Sequence, residues 1–304
     1  GPFQIPELDS QRCHDLDGDT KNDTEDNTQK NSGAHKGFLL IHGLTDSPYL
    51  MTNIGDSLHQ RYPCALIRAV LLPGHGTVAG DSLEMNYQQW NSIVRYGVDS
   101  FKGDPAISEL FLVGFSTGTS LSVEYMKQHP SKEGSKRDDK IKGLVMVSTA
   151  IKANTRIAWL AHYVQYLQRW AGQFLEKDAA RYESFSMNAG DQFYQLTRDM
   201  SSEAYALKVP VMMAVSADDA TIDARAARQF YCDSQPHPNN ALIWYESLDK
   251  DLNQQIDNDL ALRCANIINY GLENINPAYK TKNLAHTALS LSPQDKHYGV
   301  DKAY

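Results

Sequence analysis

Residues 110 to 119 read "LFLVGFSTGT", an apolar run that meets a serine held between two glycines. Gly114-Phe115-Ser116-Thr117-Gly118 leaves no room for a loop between a buried strand and whatever follows it. A turn this sharp lifts a serine hydroxyl above the end of a sheet, where it can attack a carbonyl. The flanking glycines allow two backbones to approach without Cβ clashes. A competing reading makes Ser116 an ordinary cap on a helix that starts after the strand. The chemical reading demands partners, because a hydroxyl is a poor nucleophile at neutral pH without a general base. The base in turn needs an acid to fix its tautomer. Acids follow in "SADDATID", which holds Asp218, Asp219 and Asp223, and three histidines lie beyond them: His237, His286 and His297.

The elements around these residues alternate. Short apolar runs closed by turn residues, at 37–43, 64–76, 107–115, 140–150, 209–219 and 241–247, read as buried parallel strands. Between them lie helical patterns, including 86–101 with Tyr87, Trp90, Val94 and Val98 on one face, and a helix from Thr117 to about His129. Strands separated by helices imply crossover connections and a mostly parallel sheet with helices on both faces. Two stretches interrupt the rhythm. Residues 151–208 show no clear strand and carry Trp159, Tyr163, Tyr166, Trp170 and Phe174 at spacings of three and four, which predicts an amphipathic aromatic helix. Residues 249–276 form a second insertion, polar at first and helical toward "ALRCANIINYG".

Composition narrows the partners. The 304 residues carry 29 Lys plus Arg against 37 Asp plus Glu, a net charge of −8. That balance offers no footprint for nucleic acid, and no apolar run approaches the length of a membrane span. Residues 1–36 form an acidic segment with too few large side chains to build a core. Within it, "DLDGDTKNDTED" places Asp15, Asp17, Asp19, Asp23 and Asp26 around a glycine turn, hard oxygen ligands suited to a structural calcium ion. An acidic solvated linker is the other reading. The stretch resembles a single thrombospondin type 3 calcium repeat, with Thr20 where that pattern has glycine. The Gly1-Pro2 start reads as a protease scar, which with the acidic segment favours a periplasmic, secreted or anchored protein over a cytoplasmic one. Four cysteines show no metal spacing. They are either buried thiols or disulfides, with Cys232–Cys264 the first expected pair.

Five motifs in one order carry a resemblance: "IHGLTDSP", "LPGHG", "GFSTG", "SADDATID" and "AHTAL". The chain resembles the α/β-hydrolases, near the monoacylglycerol-lipase, lysophospholipase and carboxylesterase branch, over roughly residues 37 to 300. The resemblance implies a Ser-His-Asp triad of Ser116, His286 and Asp219. His286 matches the family's base, while His237 reads as surface and His297 as structural. Asp219 rather than Asp218 fits the family's spacing to a following aliphatic residue, and Asp223 is left as a helix-start acid. The oxyanion hole falls to the backbone N–H groups of Leu44 and Thr117, with His42 and His75 structural. The 151–208 insertion takes the place of the family's cap, roofing a pocket within a hydrolase domain spanning 37–304. The implied activity is cofactor-independent hydrolysis of a small acyl ester. Thioesterase, lactonase and amidase chemistry stay open on the same triad, as does a non-catalytic binding protein built on the same scaffold.

Overall fold

The computed structural model describes residues 2–5, 35–129, 140–154, 158–198, 200, 207–234, 237–253, 264, 266–275 and 283–299. Ten strands are described: β1 (Phe3–Ile5), β2 (His35–Ile41), β3 (Leu66–Ala69), β4 (Ile107–Phe115), β5 (Ile141–Val147), β6 (Trp170–Gly172), β7 (Phe185–Ser186), β8 (Val211–Ser216), β9 (Ala241–Tyr245) and β10 (Ile267–Tyr270). The helices used below are α1 (Thr52–Arg61), α2 (Tyr87–Lys102), α3 (Thr117–Gln128), α4 (Ala161–Val164), α5 (Met187–Thr197) and α6 (Ala224–Asp233). Eight strands make one sheet in the order β1-β3-β2-β4-β5-β8-β9-β10. All pairings are parallel except β1 against β3.

The sheet is buried on both faces because its central strands are apolar at consecutive positions. In β2, Leu39 and Ile41 enter one core cluster while Phe38 and Leu40 enter the other. Period-two alternation thus feeds two cores at once. On one side, Trp90, Val94, Val98 and Phe101 of α2 are fully buried against the sheet, as the helical spacing predicts. Asn86 caps that helix, its side chain accepting from the Gln88 amide at 2.8 Å.

The six predicted strands are present, and two edge strands join them. Phe3–Ile5, inside the acidic 1–36 segment, is not a detached tail but pairs with β3, and Phe3 packs on the core. Asp15, Asp17, Asp19, Asp23 and Asp26 lie outside the described residues. Part of the second insertion expected to be helical, "IINY", is instead the edge strand β10, paired in parallel with β9. Its β-branched isoleucines and its half-exposed faces suit a sheet edge better than a helix.

The single aromatic helix expected within 151–208 does not form. The chain there builds a 3₁₀ turn (Ala158–Leu160), the one-turn α4, the antiparallel pair β6–β7 and then α5. A long amphipathic helix needs a core for its apolar stripe, but Trp159, Tyr163, Tyr166 and Phe174 are exposed. Only Trp170 packs on the core, and it does so from a strand.

Cys232 and Cys264 are disulfide-bonded with Cα atoms 4.8 Å apart, closing a separation of 32 residues. Cys64 is disulfide-bonded as well. Closing loops of this length restricts the unfolded chain, so reducing the protein should lower its stability by about 2–4 kcal/mol per bond. Thermal melts with and without reductant measure this, and equal melting temperatures would contradict it.

Candidate active site

Ser116 sits at φ 51°, ψ −121° between β4 and α3, a backbone region that costs a non-glycine residue strain. The glycines beside it explain how the turn closes. A Cβ on Gly118 would lie 2.0 Å from the Ile41 carbonyl oxygen, and one on Gly114 would lie 2.6 Å from the Gly118 carbonyl. Helix and strands therefore touch backbone to backbone, and only glycine fits. The hydroxyl does not cap α3. Instead it lies 2.7 Å from His286 Nε2.

His286 opens a 3₁₀ turn (His286–Leu289), and its Nδ1 lies 2.6 Å from Asp219 Oδ2. Because a carboxylate only accepts, Nδ1 carries the proton, and Nε2 offers its lone pair to the Ser116 O–H. Asp219 is buried, and its other oxygen accepts from the amides of Thr221 at 2.9 Å and Ile222 at 3.1 Å. Those two bonds fix the carboxylate's direction. They also separate Asp219 from its neighbour: Asp218 Oδ2 is buried with no hydrogen-bond partner among the described residues. Asp223 caps α6 by accepting from the Ala226 amide at 3.0 Å.

Two supports of His286 had no visible signal in the chain. The Ser148 hydroxyl, on a residue at φ 49° just beyond β5, donates to the His286 carbonyl at 2.6 Å. The Phe115 ring packs 5.3 Å from the imidazole. The other late histidines stand elsewhere. His297 Nε2 bonds Asp178 at 3.1 Å, and His237 Nδ1 accepts from the Asn239 amide.

Leu44 and Thr117 line the same cavity as Ser116, and neither backbone amide donates to an acceptor among the described residues. Thr117 is the first residue of α3, where helix amides are unpaired and carry positive dipole. A Cβ on Gly43 would meet Asp46 Oδ2 at 2.4 Å and Ser116 Cβ at 2.9 Å, so the space between the turns exists because that residue is glycine. His42 bridges strand ends: its Nδ1 donates to the Gly43 carbonyl at 2.8 Å and its Nε2 accepts from the Leu72 amide at 3.1 Å. Burial holds its pKa well below the usual value, reinforced by His75. Burial likewise lowers His75 from 6.5 to about 4.

A cavity of about 840 Å³ is lined by Ser116 together with Leu44, Ile222, Leu160, Val164 and Phe193. Asp46 and Arg181 also line it, and sequence reasoning singled out neither.

The family described as Serine aminopeptidase, S33 (Hydrolase_4) matches residues 34–249. The chain belongs to this family. No curated protein matches the hydrolase closely enough to count as a relative. Among solved structures, it resembles one of the metagenome-derived lipolytic enzymes LipS and LipT at 17% identity and TM-score 0.58, covering 75% of this chain and 93% of that one. It also resembles a soluble variant of monoglyceride lipase from Saccharomyces cerevisiae, at 17% identity and TM-score 0.51 over 76% and 87% of the two chains. The monoacylglycerol lipase of Paleococcus ferrophilus matches at 17% and 0.53, over 70% and 86%. At such identity the likeness is one of fold. The hydrolase has the α/β-hydrolase architecture that its motifs led us to expect.

Two outcomes follow for the hydrolase. Asp219→Asn should lower turnover by about 10⁴-fold through the wrong imidazole tautomer, and Asp218→Asn far less; the reverse order would overturn the geometry's choice. Acid should also destabilise the fold. His42 and His75 are held neutral when folded, so the unfolded chain binds more protons below about pH 6.5. Their contribution is complete above that value and is lost as pH falls toward 4. Urea midpoints across this range measure it.

Proposed function

We propose that this hydrolase cleaves carboxylic esters with an apolar acyl chain through a covalent acyl-enzyme. Ser116 is the nucleophile, His286 the general base and Asp219 the acid that orients it. One observation carries this reading: an unbroken chain of hydrogen bonds, Ser116 to His286 to Asp219, ends at the floor of a largely apolar cavity.

The steps follow from the geometry. His286 Nε2 takes the Ser116 proton as Oγ attacks the carbonyl carbon. The Leu44 and Thr117 amides stabilise the oxyanion, an interaction worth about 3 kcal/mol per donor in such sites. The imidazolium, stabilised by Asp219, then protonates the departing alcohol. Water activated by the same imidazole attacks the acyl-enzyme and frees the acid and Ser116. Side chains and water supply every proton and electron pair, so the sequence of steps calls for no cofactor. The segment spanning Ala158–Thr197 acts as the cap, and Leu160, Val164 and Phe193 shape the acyl site. Monoacylglycerols, lysophospholipids and short acyl esters are the substrate classes this favours. The family's name supports a second reading, removal of an amino-terminal residue from a peptide, so an aminoacyl anilide belongs in the substrate panel.

Ser116→Ala should reduce p-nitrophenyl ester hydrolysis by about 10⁴-fold or more while leaving the melting temperature unchanged. A fluorophosphonate probe should label the parent on the Ser116 peptide and spare the variant. Labelling elsewhere, or activity within tenfold of the parent, would sink the assignment and leave a non-catalytic scaffold as the alternative. Val164→Trp should fill the roof of the cavity and shift preference to shorter acyl chains. An unchanged chain-length profile would place the acyl site elsewhere.

A further inference from the structure

Between β6 and β7, residues 178–182 of the cap are fastened at both ends. At one end the Asp178 carboxylate accepts from the Ala180 amide at 2.8 Å, from His297 Nε2 at 3.1 Å and from the Tyr298 hydroxyl at 2.6 Å. At the other, the Tyr182 hydroxyl accepts from the Thr77 amide at 3.0 Å and lies 3.0 Å from Thr77 Oγ1. Thr77 Oγ1 donates to Asp81, so the tyrosine proton goes to Thr77. Ala180 and Tyr182 are both buried. The segment is a stiff piece of the cap, seated on residues near the C-terminus and on the chain that follows "LPGHG".

From this stiff piece the Tyr182 amide donates to the Thr45 carbonyl at 2.7 Å. Thr45 is the third residue of a turn, Gly43 to Asp46, closed by the Asp46 amide donating to the Gly43 carbonyl at 3.4 Å. Its φ is 65°. A positive φ at that place in a turn belongs to glycine or asparagine, and a β-branched residue takes it only against steric resistance. Such a conformation persists where its surroundings over-determine it. With a negative φ at Thr45 the Leu44–Thr45 peptide would be turned over, giving the common turn that most residues accept. The bond inside the turn is long and therefore weak. The bond from Tyr182 is shorter and comes from a segment anchored elsewhere, so it is the stronger hold. Leu44, the proposed oxyanion donor, is the second residue of the same turn.

We propose that Tyr182 is a positioning residue for the oxyanion hole. By holding the Thr45 carbonyl it keeps the Gly43–Asp46 turn in its strained form and the Leu44 amide in place to receive the oxyanion. This rests on the ester-hydrolase reading above. It gives the cap a second task, because the segment whose Arg181 lines the cavity also sets one of the two donors. Tyr182 acts through Thr45, and Ser116, His286 and Asp219 carry out the chemistry.

The test is a double-substitution series. Tyr182→Phe removes the two contacts with Thr77, Tyr182→Ala removes the anchor altogether, and Thr45→Gly lets the turn hold a positive φ without strain. With threonine at 45, kcat for p-nitrophenyl octanoate should fall about threefold in Tyr182→Phe and about tenfold in Tyr182→Ala, short of the loss of a whole donor, with KM nearly unchanged. An alkyl trifluoromethyl ketone adds to Ser116 Oγ, passes the serine proton to His286 and leaves the same oxyanion, so its binding should weaken by matching factors. With glycine at 45, either tyrosine change should cost no more than about twofold in kcat, the non-additivity expected of coupled residues. Equal losses in the two backgrounds overturn the proposal, because Tyr182 then acts independently of the turn. Losses carried by KM, or lost turnover with ketone binding intact, overturn it as well, since they report on the acyl site. Where Tyr182→Ala melts below the parent, Tyr182→Phe decides, and an unchanged kcat there overturns the positioning role. A parent that neither hydrolyses the ester nor binds the ketone overturns the ester reading and this role together.

Discussion

The contact on which this structure depends is the one between backbones at Gly114 and Gly118. Helix α3 lies so close to β2 and β4 that the Ile41 carbonyl occupies the place a side chain on Gly118 would need. That approach forces Ser116 into its strained conformation. The strain then serves the chemistry, since it detaches the hydroxyl from the helix it would otherwise cap and points it at His286. The rest of the site is arranged about a serine whose position two glycines have already determined. Packing of Trp90, Val94 and Phe101 against the sheet holds the strands rigid enough to sustain that strain.

The same economy appears at His286 and Asp219. His286 arrives from a loop far along the chain, and loops alone seldom hold a ring to within a fraction of an ångström. Here His286 is fixed at three places: Asp219 at Nδ1, Ser148 at the backbone carbonyl and the tilted Phe115 ring beside the imidazole. Asp219 is itself held by two amides of the turn that follows it. Each member of this hydrogen-bonded set is thus held by neighbours outside it, which is how a site keeps its geometry when a ligand enters.

What the chain reveals on reading depends on whether burial left a pattern. The central strands were legible because both their faces are covered, so "GFLLIHG" and "ELFLVGF" show as continuous apolar runs. The turn at Ser116 was legible because it demands glycine on both sides, while Asp219 and His286 were picked out by the family resemblance, and the structure brings all three together. Strands β1 and β10 were not, since edge strands bury too little to stand out from polar surroundings. The aromatic spacing in 151–208 misled for the opposite reason: Trp159, Tyr163, Tyr166 and Phe174 recur at helical intervals, yet their rings face solvent and no core imposed that period. Asp46, Arg181 and Ser148 had no signal at all. An aspartate in a turn, an arginine in an insertion and a serine after a strand are each ordinary until folding sets them beside a nucleophile.

Two of the bonded cysteines occupy corresponding places. Cys64 stands two residues before β3, next to one edge of the sheet, and Cys264 three residues before β10, the opposite edge strand. Open sheets fray from their margins, where strands have a neighbour on one side only. A bonded cysteine near each margin limits how far the chain can open there while the bonds stay oxidised. A restraint of this kind acts on the rate of unfolding as well as on its equilibrium.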